Sequence, residues 1–207
     1  MDNKIKAIVF DIGSVLTKTD FKKFHARLDR LSEEHEIDPN KFHDLRSKHL
    51  DKLMIGKMSD KEFKRKVTNE LKIKDKKDFI IKWDNALESY MILDKRVYSL
   101  IAKLKKNYLV VSFSDVTPMF HKMRVRKKVY AHFKYNLLSH QIGIKKPSLK
   151  FYKLLLKKIK VKPNEIIFID DKVYNLSPAE NLGMKTILYK NNKQLIKDLK
   201  KLEVKLK

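Results

Sequence analysis

Short apolar runs that end in an acidic or hydroxyl side chain recur along this chain, and they constrain its fold more than any other feature. Three runs share this form: residues 5–10 lead to Asp11, residues 108–113 to Ser114 and Asp115, and residues 165–169 to Asp170 and Asp171. Runs of this length that are rich in β-branched and aromatic residues are typical of buried strands. Amphipathic helical segments alternate with the later runs. This alternation predicts an α/β protein in which helices cover both faces of a doubly wound parallel sheet.

Residues 19–90 interrupt this alternation with a segment of helical spacing. Phe24, Leu28 and Leu31 recur at the period of a helix, and Asp38 followed by Pro39 is a typical helix start. Because the strand pattern resumes only after this segment, we expect an inserted α-helical domain. The predicted division of the chain is a core domain at residues 1–18 and 91–207 and a helical domain at residues 19–90.

Composition narrows the class of protein. The chain has 207 residues, 43% of them hydrophobic, which is enough to bury a substantial core. It has no cysteine, so disulfides, zinc-thiolate sites and thiol nucleophiles are excluded. Its apolar runs, such as residues 109–111, are far shorter than a membrane span, and its first residues lack a secretory signal. We expect a cytoplasmic protein without a membrane partner, as a monomer or a weak homodimer.

The formal net charge is +24, and a basic balance of this size is typical of nucleic-acid or anionic-membrane partners. Only seven of the 49 basic residues are Arg, however, and Arg is the residue favoured for bidentate recognition of phosphates and bases. Lys is spread over the whole chain. We therefore interpret the charge as a Lys-rich solvated surface, and we keep the binding of RNA or another polyanion as an alternative.

Parallel strands end at the same edge of a sheet, so the polar residues that follow the three runs should meet there. That edge would hold Asp11, Asp115 and the adjacent pair Asp170 and Asp171, and the loop at residues 143–147 could add a lysine. Carboxylates that lie close together repel each other unless a cation joins them. Mg²⁺ prefers such hard oxygen ligands, so this pattern indicates a magnesium site suited to phosphate chemistry.

Four segments carry a more specific signal: IVFDIGSVL at residues 8–16, VVSFSD at 110–115, GIKKP at 143–147 and IIFIDD at 166–171. In order and spacing they resemble the four motifs of the haloacid dehalogenase (HAD) superfamily of hydrolases, whose core is a Rossmannoid sheet. The helical insertion around Gly56 resembles the α-helical cap of subfamily I. Within it, the resemblance is to the branch of bacterial glucose-1-phosphate phosphatase and the N-terminal phosphatase domain of soluble epoxide hydrolases.

The resemblance implies a nucleophile and a Mg²⁺ site. Asp11 would attack phosphorus and would also bind the metal, with the backbone carbonyl of Gly13 as a second ligand. Asp171 would bind Mg²⁺ directly, and Asp170 would act through water or through Lys146. Dehalogenases of the superfamily replace this last acidic pair, so Asp170 and Asp171 favour phosphoryl chemistry over the cleavage of carbon–halogen bonds.

The resemblance also implies how the substrate is held. Ser114 and the backbone amide of Asp115 would bind the phosphoryl oxygens, and Lys146 would neutralise charge on both the nucleophile and the phosphate. A carboxylate attacks an anion only where cations offset their repulsion, so these roles agree with the chemistry of phosphoryl transfer.

Gly13 departs from the pattern of most phosphatases in this superfamily, which carry a second Asp at that position as general acid and base. Glycine has no side chain for this work. Asp20, His25 and His43 are candidate substitutes, because they lie in or near the insertion and His titrates near neutrality. Each also has a simpler interpretation: Asp20 as the N-cap of a helix, and the two histidines as residues of a helix surface.

The sequence therefore predicts a Mg²⁺-dependent phosphatase that hydrolyses a small phosphorylated metabolite through an aspartyl-phosphate. The alternative is a catalytically weak HAD-like protein that binds RNA or another polyanion through its Lys-rich surface. One aromatic and basic stretch, residues 120–133, could form a nucleic-acid face. An amphipathic helix that packs Met119, Met123 and Tyr130 inward explains the same stretch.

Overall fold

A parallel sheet forms the centre of the computed structural model, which describes residues 4–88 and 91–206. The strands are β1 (Ala7–Phe10), β2 (Thr17–Thr19), β3 (Met91–Leu93), β4 (Leu109–Ser114), β5 (Tyr135–Leu138), β6 (Ile166–Asp170) and β7 (Lys185–Leu188). Five of them form the parallel sheet in the order β5-β4-β1-β6-β7. The runs that the sequence predicted as strands thus all enter this sheet, and the first run lies at its middle.

Helices fill the intervals between the strands. They are α1 (Phe21–Glu34), α2 (Pro39–Met54), α3 (Asp60–Glu70), α4 (Lys76–Glu88), α5 (Lys95–Leu104), α6 (Pro118–Arg126), α7 (Ser139–Ile142), α8 (Leu149–Ile159), α9 (Val173–Asn181) and α10 (Asn192–Lys201). Local chemistry sets several of their starts. The side chain of Asp38 accepts a hydrogen bond from the Asn40 amide at 2.9 Å, and that of Ser59 accepts one from the Glu62 amide at 3.1 Å.

Both faces of the sheet are covered, as the doubly wound prediction requires. Every residue of β1 is fully buried, because β1 pairs with β4 on one side and with β6 on the other. One face packs against α5 and α10, where Ile101 and Leu195 are buried, and the opposite face packs against α8, where Phe151 and Tyr152 are buried. The predicted α/β fold is confirmed.

The two short strands β2 and β3 were not predicted. They pair antiparallel where the chain leaves the sheet region and where it returns, with Thr17 opposite Leu93. Strands of three residues are too short to show a periodic pattern in sequence, and their pairing depends on a contact between distant parts of the chain. The domain boundaries at residues 18 and 91 stay a prediction, and residues 1–3, 89, 90 and 207 of that division lie outside the described residues.

The helices α1 to α4, which we call the cap, have a hydrophobic cluster of their own. Phe42, Phe63, Phe79 and Trp83 are all buried in it, and the rings of Phe42 and Trp83 lie 5.0 Å apart, edge to face. Met119 and Met123 of α6 join this cluster, which confirms that α6 packs these two residues inward, whereas Tyr130 lies beyond the end of α6 and packs, partly buried, against the cluster of the sheet. No helix among the described residues is long and apolar enough to cross a membrane.

The end of α2 docks on α7, a single helical turn that the sequence did not predict. The Ser139 hydroxyl donates a hydrogen bond to the Met54 carbonyl at 2.7 Å. Gly56 follows with φ of +68°, and a Cβ on it would lie 2.1 Å from the backbone oxygen of His140. Only glycine permits this approach, so Gly56 is required where the cap meets the core.

Gly56→Ala should therefore destabilise the protein more than the matched variant Gly143→Ala. Both glycines have positive φ, and an alanine at either position costs about 1–2 kcal/mol in backbone strain. At residue 143, however, the atom nearest to a new Cβ is 4.0 Å away. We expect Gly56→Ala to lose about 2 kcal/mol more in the free energy of unfolding, measured with urea. Equal losses in the two variants would show that the contact between α2 and α7 shifts to admit a Cβ without a cost in the free energy of unfolding.

Candidate active site

The strand ends meet at one cavity. Asp11 follows β1, Asp115 follows β4 and Asp171 follows β6, and all three line a cavity of about 690 Å³ that extends to the cap. A volume of this size is typical of sites for small molecules. The structure therefore brings together the acidic residues that the sequence placed at one edge of the sheet.

Lys146 joins two of the strand ends. Its Nζ donates hydrogen bonds to Asp11 Oδ1 at 2.7 Å and to Asp170 Oδ2 at 2.6 Å, and its side chain is almost fully buried. The backbone amide of Lys146 donates to Asp115 Oδ1 at 3.0 Å. Lys146 is thus tied to carboxylates behind β1, β4 and β6, which fixes the loop at residues 143–147 over the site.

The carboxylates and the lysine alter each other's protonation. Burial raises the pKa of Asp11 to about 6, although the charges of Lys146 and Arg124 oppose this shift. Burial by itself would lower the pKa of Lys146, but the carboxylates around it, Asp11 foremost, raise it above its ordinary value. Burial also raises the pKa of Asp115. Lys146 therefore stays positively charged. A further cation beside these carboxylates would be electrostatically favourable.

Asp170 lies below the cavity, outside its lining. Its carboxylate accepts hydrogen bonds from Asn175 Nδ2 at 3.0 and 3.1 Å and from the backbone amide of Lys172 at 2.9 Å, in addition to Lys146. With all these partners it positions Lys146. The role that the resemblance implied for Asp170, an action through water or through Lys146, stays a prediction.

The remaining oxygen atoms fit a magnesium ion. Asp11, Asp171 and Gly13 line the cavity together, and within the described residues Asp171 forms no ion pair. Burial, together with the charge of Asp170, raises the pKa of Asp171, so a cation beside this carboxylate would be favourable. No three His, Cys, Asp or Glu side chains of the described chain are grouped closely enough to hold a metal by themselves. Two carboxylates and the Gly13 carbonyl suit Mg²⁺, which usually keeps several waters.

Arg124 is the residue of this site that sequence reasoning missed. It belongs to the aromatic and basic stretch at residues 120–133, but it is only 6% exposed and it lines the cavity. Its Nη1 donates to Ser114 Oγ at 3.0 Å. Ser114 itself is fully buried and lies behind Arg124, outside the cavity lining. The available signal was the position of Arg124 beside Met123, on the buried side of α6.

Gly13 lies opposite Arg124. A Cβ on Gly13 would be 3.6 Å from Arg124 Nη2 and 3.7 Å from Asp11 Oδ2, which are ordinary contacts, and Gly13 does not have a positive φ. A side chain at this position is therefore compatible with the backbone. The glycine is not required by backbone strain, and the guanidinium faces the position at which most phosphatases of the superfamily that this sequence resembles carry a second Asp.

The candidate proton donors are placed differently from one another. Asp20 is the N-cap of α1 and accepts a hydrogen bond from the Lys23 amide at 3.1 Å, as its simpler interpretation predicted. His25 and His43 line the cavity at its cap end. Both ring nitrogens of His43 have partners, because Nε2 lies 2.7 Å from Asp29 Oδ1 and Arg46 Nη1 lies 3.2 Å from Nδ1.

Comparison with known proteins agrees with this fold. The model of the haloacid dehalogenase-like hydrolases matches residues 5–183, and the chain belongs to that family. The resemblance found in the sequence is confirmed.

Individual relatives agree with this family assignment. A D-ribitol-5-phosphate phosphatase from Bacteroides thetaiotaomicron is 26% identical over 90% of this chain and 93% of its own. Bifunctional epoxide hydrolase 2 of Mus musculus is 43% identical over 34% of this chain, and the match spans only 13% of that enzyme. A HAD-family enzyme from B. thetaiotaomicron, solved with magnesium and inorganic phosphate, superposes with a TM-score of 0.76 at 23% identity, covering 90% of this chain and 94% of that one. At this identity the structure shows a shared fold.

Lys146→Met should cost far more stability than Lys145→Met, its matched neighbour. The methionine at 146 leaves two buried carboxylates without their cation, whereas Lys145 pairs with Asp51, whose side chain is 76% exposed. Breaking a buried pair from one side costs about 3–5 kcal/mol, and an exposed pair contributes about 0–1 kcal/mol. Urea unfolding of both variants measures the difference. If the two variants lose the same amount, Lys146 does not hold the strand ends together.

Proposed function

We propose that this protein is a Mg²⁺-dependent phosphatase that hydrolyses a small phosphorylated metabolite through an aspartyl-phosphate on Asp11. The observation that carries the proposal is the bond from Lys146 to Asp11 at the floor of the cavity, with Asp171 beside it. A carboxylate that is buried, charge-compensated and open to a cavity is placed to act as a nucleophile. The phosphatase among the relatives supports the same activity.

When bound by Asp11, Asp171 and the Gly13 carbonyl, Mg²⁺ would offset the repulsion between the nucleophile and the phosphate dianion. Lys146 holds one oxygen of the Asp11 carboxylate, which leaves the other to attack. Asp11 forms a bond to phosphorus as the bond from phosphorus to the leaving oxygen breaks. Water then attacks the phosphorus of the aspartyl-phosphate, its bond to Asp11 breaks, and inorganic phosphate leaves.

The cap end of the cavity would receive the rest of the substrate. Phe24, Leu50 and Phe120 supply apolar surface there, and His43 and Arg46 supply polar groups. A cavity that continues from the nucleophile into the cap has room for a metabolite larger than phosphate itself. The substrate is therefore expected to bind with its phosphate on the core and its organic part against the cap.

Asp11→Asn should abolish turnover and leave the fold intact, because the isosteric amide cannot attack phosphorus. We expect the hydrolysis of 4-nitrophenyl phosphate with Mg²⁺ to fall by a factor of at least ~10³. Asp44→Asn, a change at an exposed position of α2, is the control and should retain full activity. Circular dichroism checks the fold of both variants. More than a few per cent of residual activity in Asp11→Asn would contradict the mechanism.

Mg²⁺ should raise the melting temperature of the wild-type protein, because it binds the folded state and relieves the repulsion between the carboxylates. An ion at 100 times its dissociation constant stabilises by about 2.7 kcal/mol. Asp171→Asn should remove the shift, while Asp44→Asn should keep it. Thermal unfolding with Mg²⁺ and with EDTA measures both. A melting temperature of the wild type that does not respond to millimolar Mg²⁺ would rule out the metal site.

A further inference from the structure

We propose that Arg124 binds the phosphoryl group and stabilises the developing charge on its oxygens on the side where Gly13 lacks an acid, and that without this acid the enzyme acts on phosphate compounds whose leaving oxygen departs as a stable anion. This inference rests on the proposed function and adds a residue and a substrate class to it. The observations behind it concern the burial of Arg124, its unused donors and its position relative to Gly13 and Asp11.

Arg124 is a buried cation with spare hydrogen-bonding capacity. A guanidinium has five N–H donors, and Nη1 donates to Ser114. Its Nε is buried without a hydrogen-bond partner, and within the described part of the chain no carboxylate forms an ion pair with it. The Asp11 carboxylate interacts with this charge but does not form an ion pair with it, and a buried charge without a paired counter-ion is costly, so an anion in this cavity would be bound favourably. Arg also matches the geometry of phosphate oxygens with two parallel donors.

The position of the guanidinium relative to the nucleophile identifies that anion. Arg124 Nη2 and Asp11 Oδ2 lie at nearly the same distance, 3.6 and 3.7 Å, from the point where a Cβ of residue 13 would be. A phosphoryl group attacked by Asp11 must lie next to this carboxylate, within reach of Arg124. An Asp at position 13 would instead form an ion pair with Arg124 and take up its donors.

The chemistry of arginine sets the substrate class. At neutral pH the guanidinium stays protonated, so it stabilises negative charge but does not transfer a proton. As the bond between phosphorus and the leaving oxygen breaks, that oxygen keeps the electron pair and takes its proton from water afterwards. Leaving groups of low pKa tolerate this, and they include phenols, carboxylic acids and the hemiacetal hydroxyl of sugars. Simple alkyl phosphates, whose alcohols have a high pKa, should react slowly.

The test compares Arg124→Ala with Arg126→Ala, an exposed arginine on the same helix. The probes are substituted phenyl phosphates with leaving phenols of graded pKa, assayed with Mg²⁺. We expect Arg124→Ala to lose a factor of about 10²–10³ in kcat/KM and to depend more steeply on the pKa of the phenol. Added guanidinium ion should restore at least about tenfold of the lost rate in this variant alone. Arg126→Ala should match the wild type.

A second variant covers the case in which Arg124→Ala does not fold. Arg124→Lys keeps the charge but loses the planar pair of donors, so it should bind inorganic phosphate about tenfold more weakly as a competitive inhibitor. Folded Arg124 variants with kcat/KM within threefold of the wild type, or without rescue by guanidinium, would overturn this inference alone. A wild-type protein that turns over no phenyl phosphate would overturn the proposed function together with it.

Discussion

The ammonium group of Lys146 is the charge on which the rest of the site depends. It lies between Asp11, which follows the central strand β1, and Asp170, the last residue of the neighbouring β6, at 2.7 and 2.6 Å. Without it, Asp11 and Asp170 would be two buried negative charges at one sheet edge, a costly arrangement in a medium of low polarity. Because Asp170 is itself held by Asn175 and by the Lys172 amide, the position of Asp11 is determined through three layers of contacts.

The sheet explains why these charges can be held so closely. Its strands are buried on both faces, and their register places Asp11 and Asp170 one residue past the paired positions Phe10 and Ile169. A rigid edge of this kind fixes the carboxylates before any substrate binds, which is the condition for electrostatic stabilisation at low cost. The cap, in contrast, has its own hydrophobic cluster, which Met119 and Met123 of α6 join, and its α2 end meets the core at the close contact of Gly56 with His140.

The site also differs from the usual arrangement of its family in the sign of one charge. Where most phosphatases of the superfamily have a second acid, this chain has Gly13, and the guanidinium of Arg124 lies 3.6 Å from the vacant Cβ position. An acid there would donate and accept protons, whereas an arginine offers fixed positive charge. In the function and the role of Arg124 proposed above, catalysis would rest on charge stabilisation more than on proton transfer, and the identity of the leaving group would be decisive.

Sequence alone determined the five strands of the parallel sheet, most helix starts and the acidic residues at the sheet edge. Strand ends can be predicted from the sequence because parallel strands must finish at one edge of the sheet. Helix starts can be predicted because capping residues such as Asp38 act within a few residues of their own position. Only the tertiary structure decided the pairing of β2 with β3 and the burial of Arg124 against Ser114. Its position beside Met123 on the buried side of α6 is the one local signal for Arg124, and it does not name Ser114 as the partner, because that contact follows from how α6 packs between cap and core. The partner that a side chain meets across the fold depends on that packing, and no short stretch of sequence carries this information.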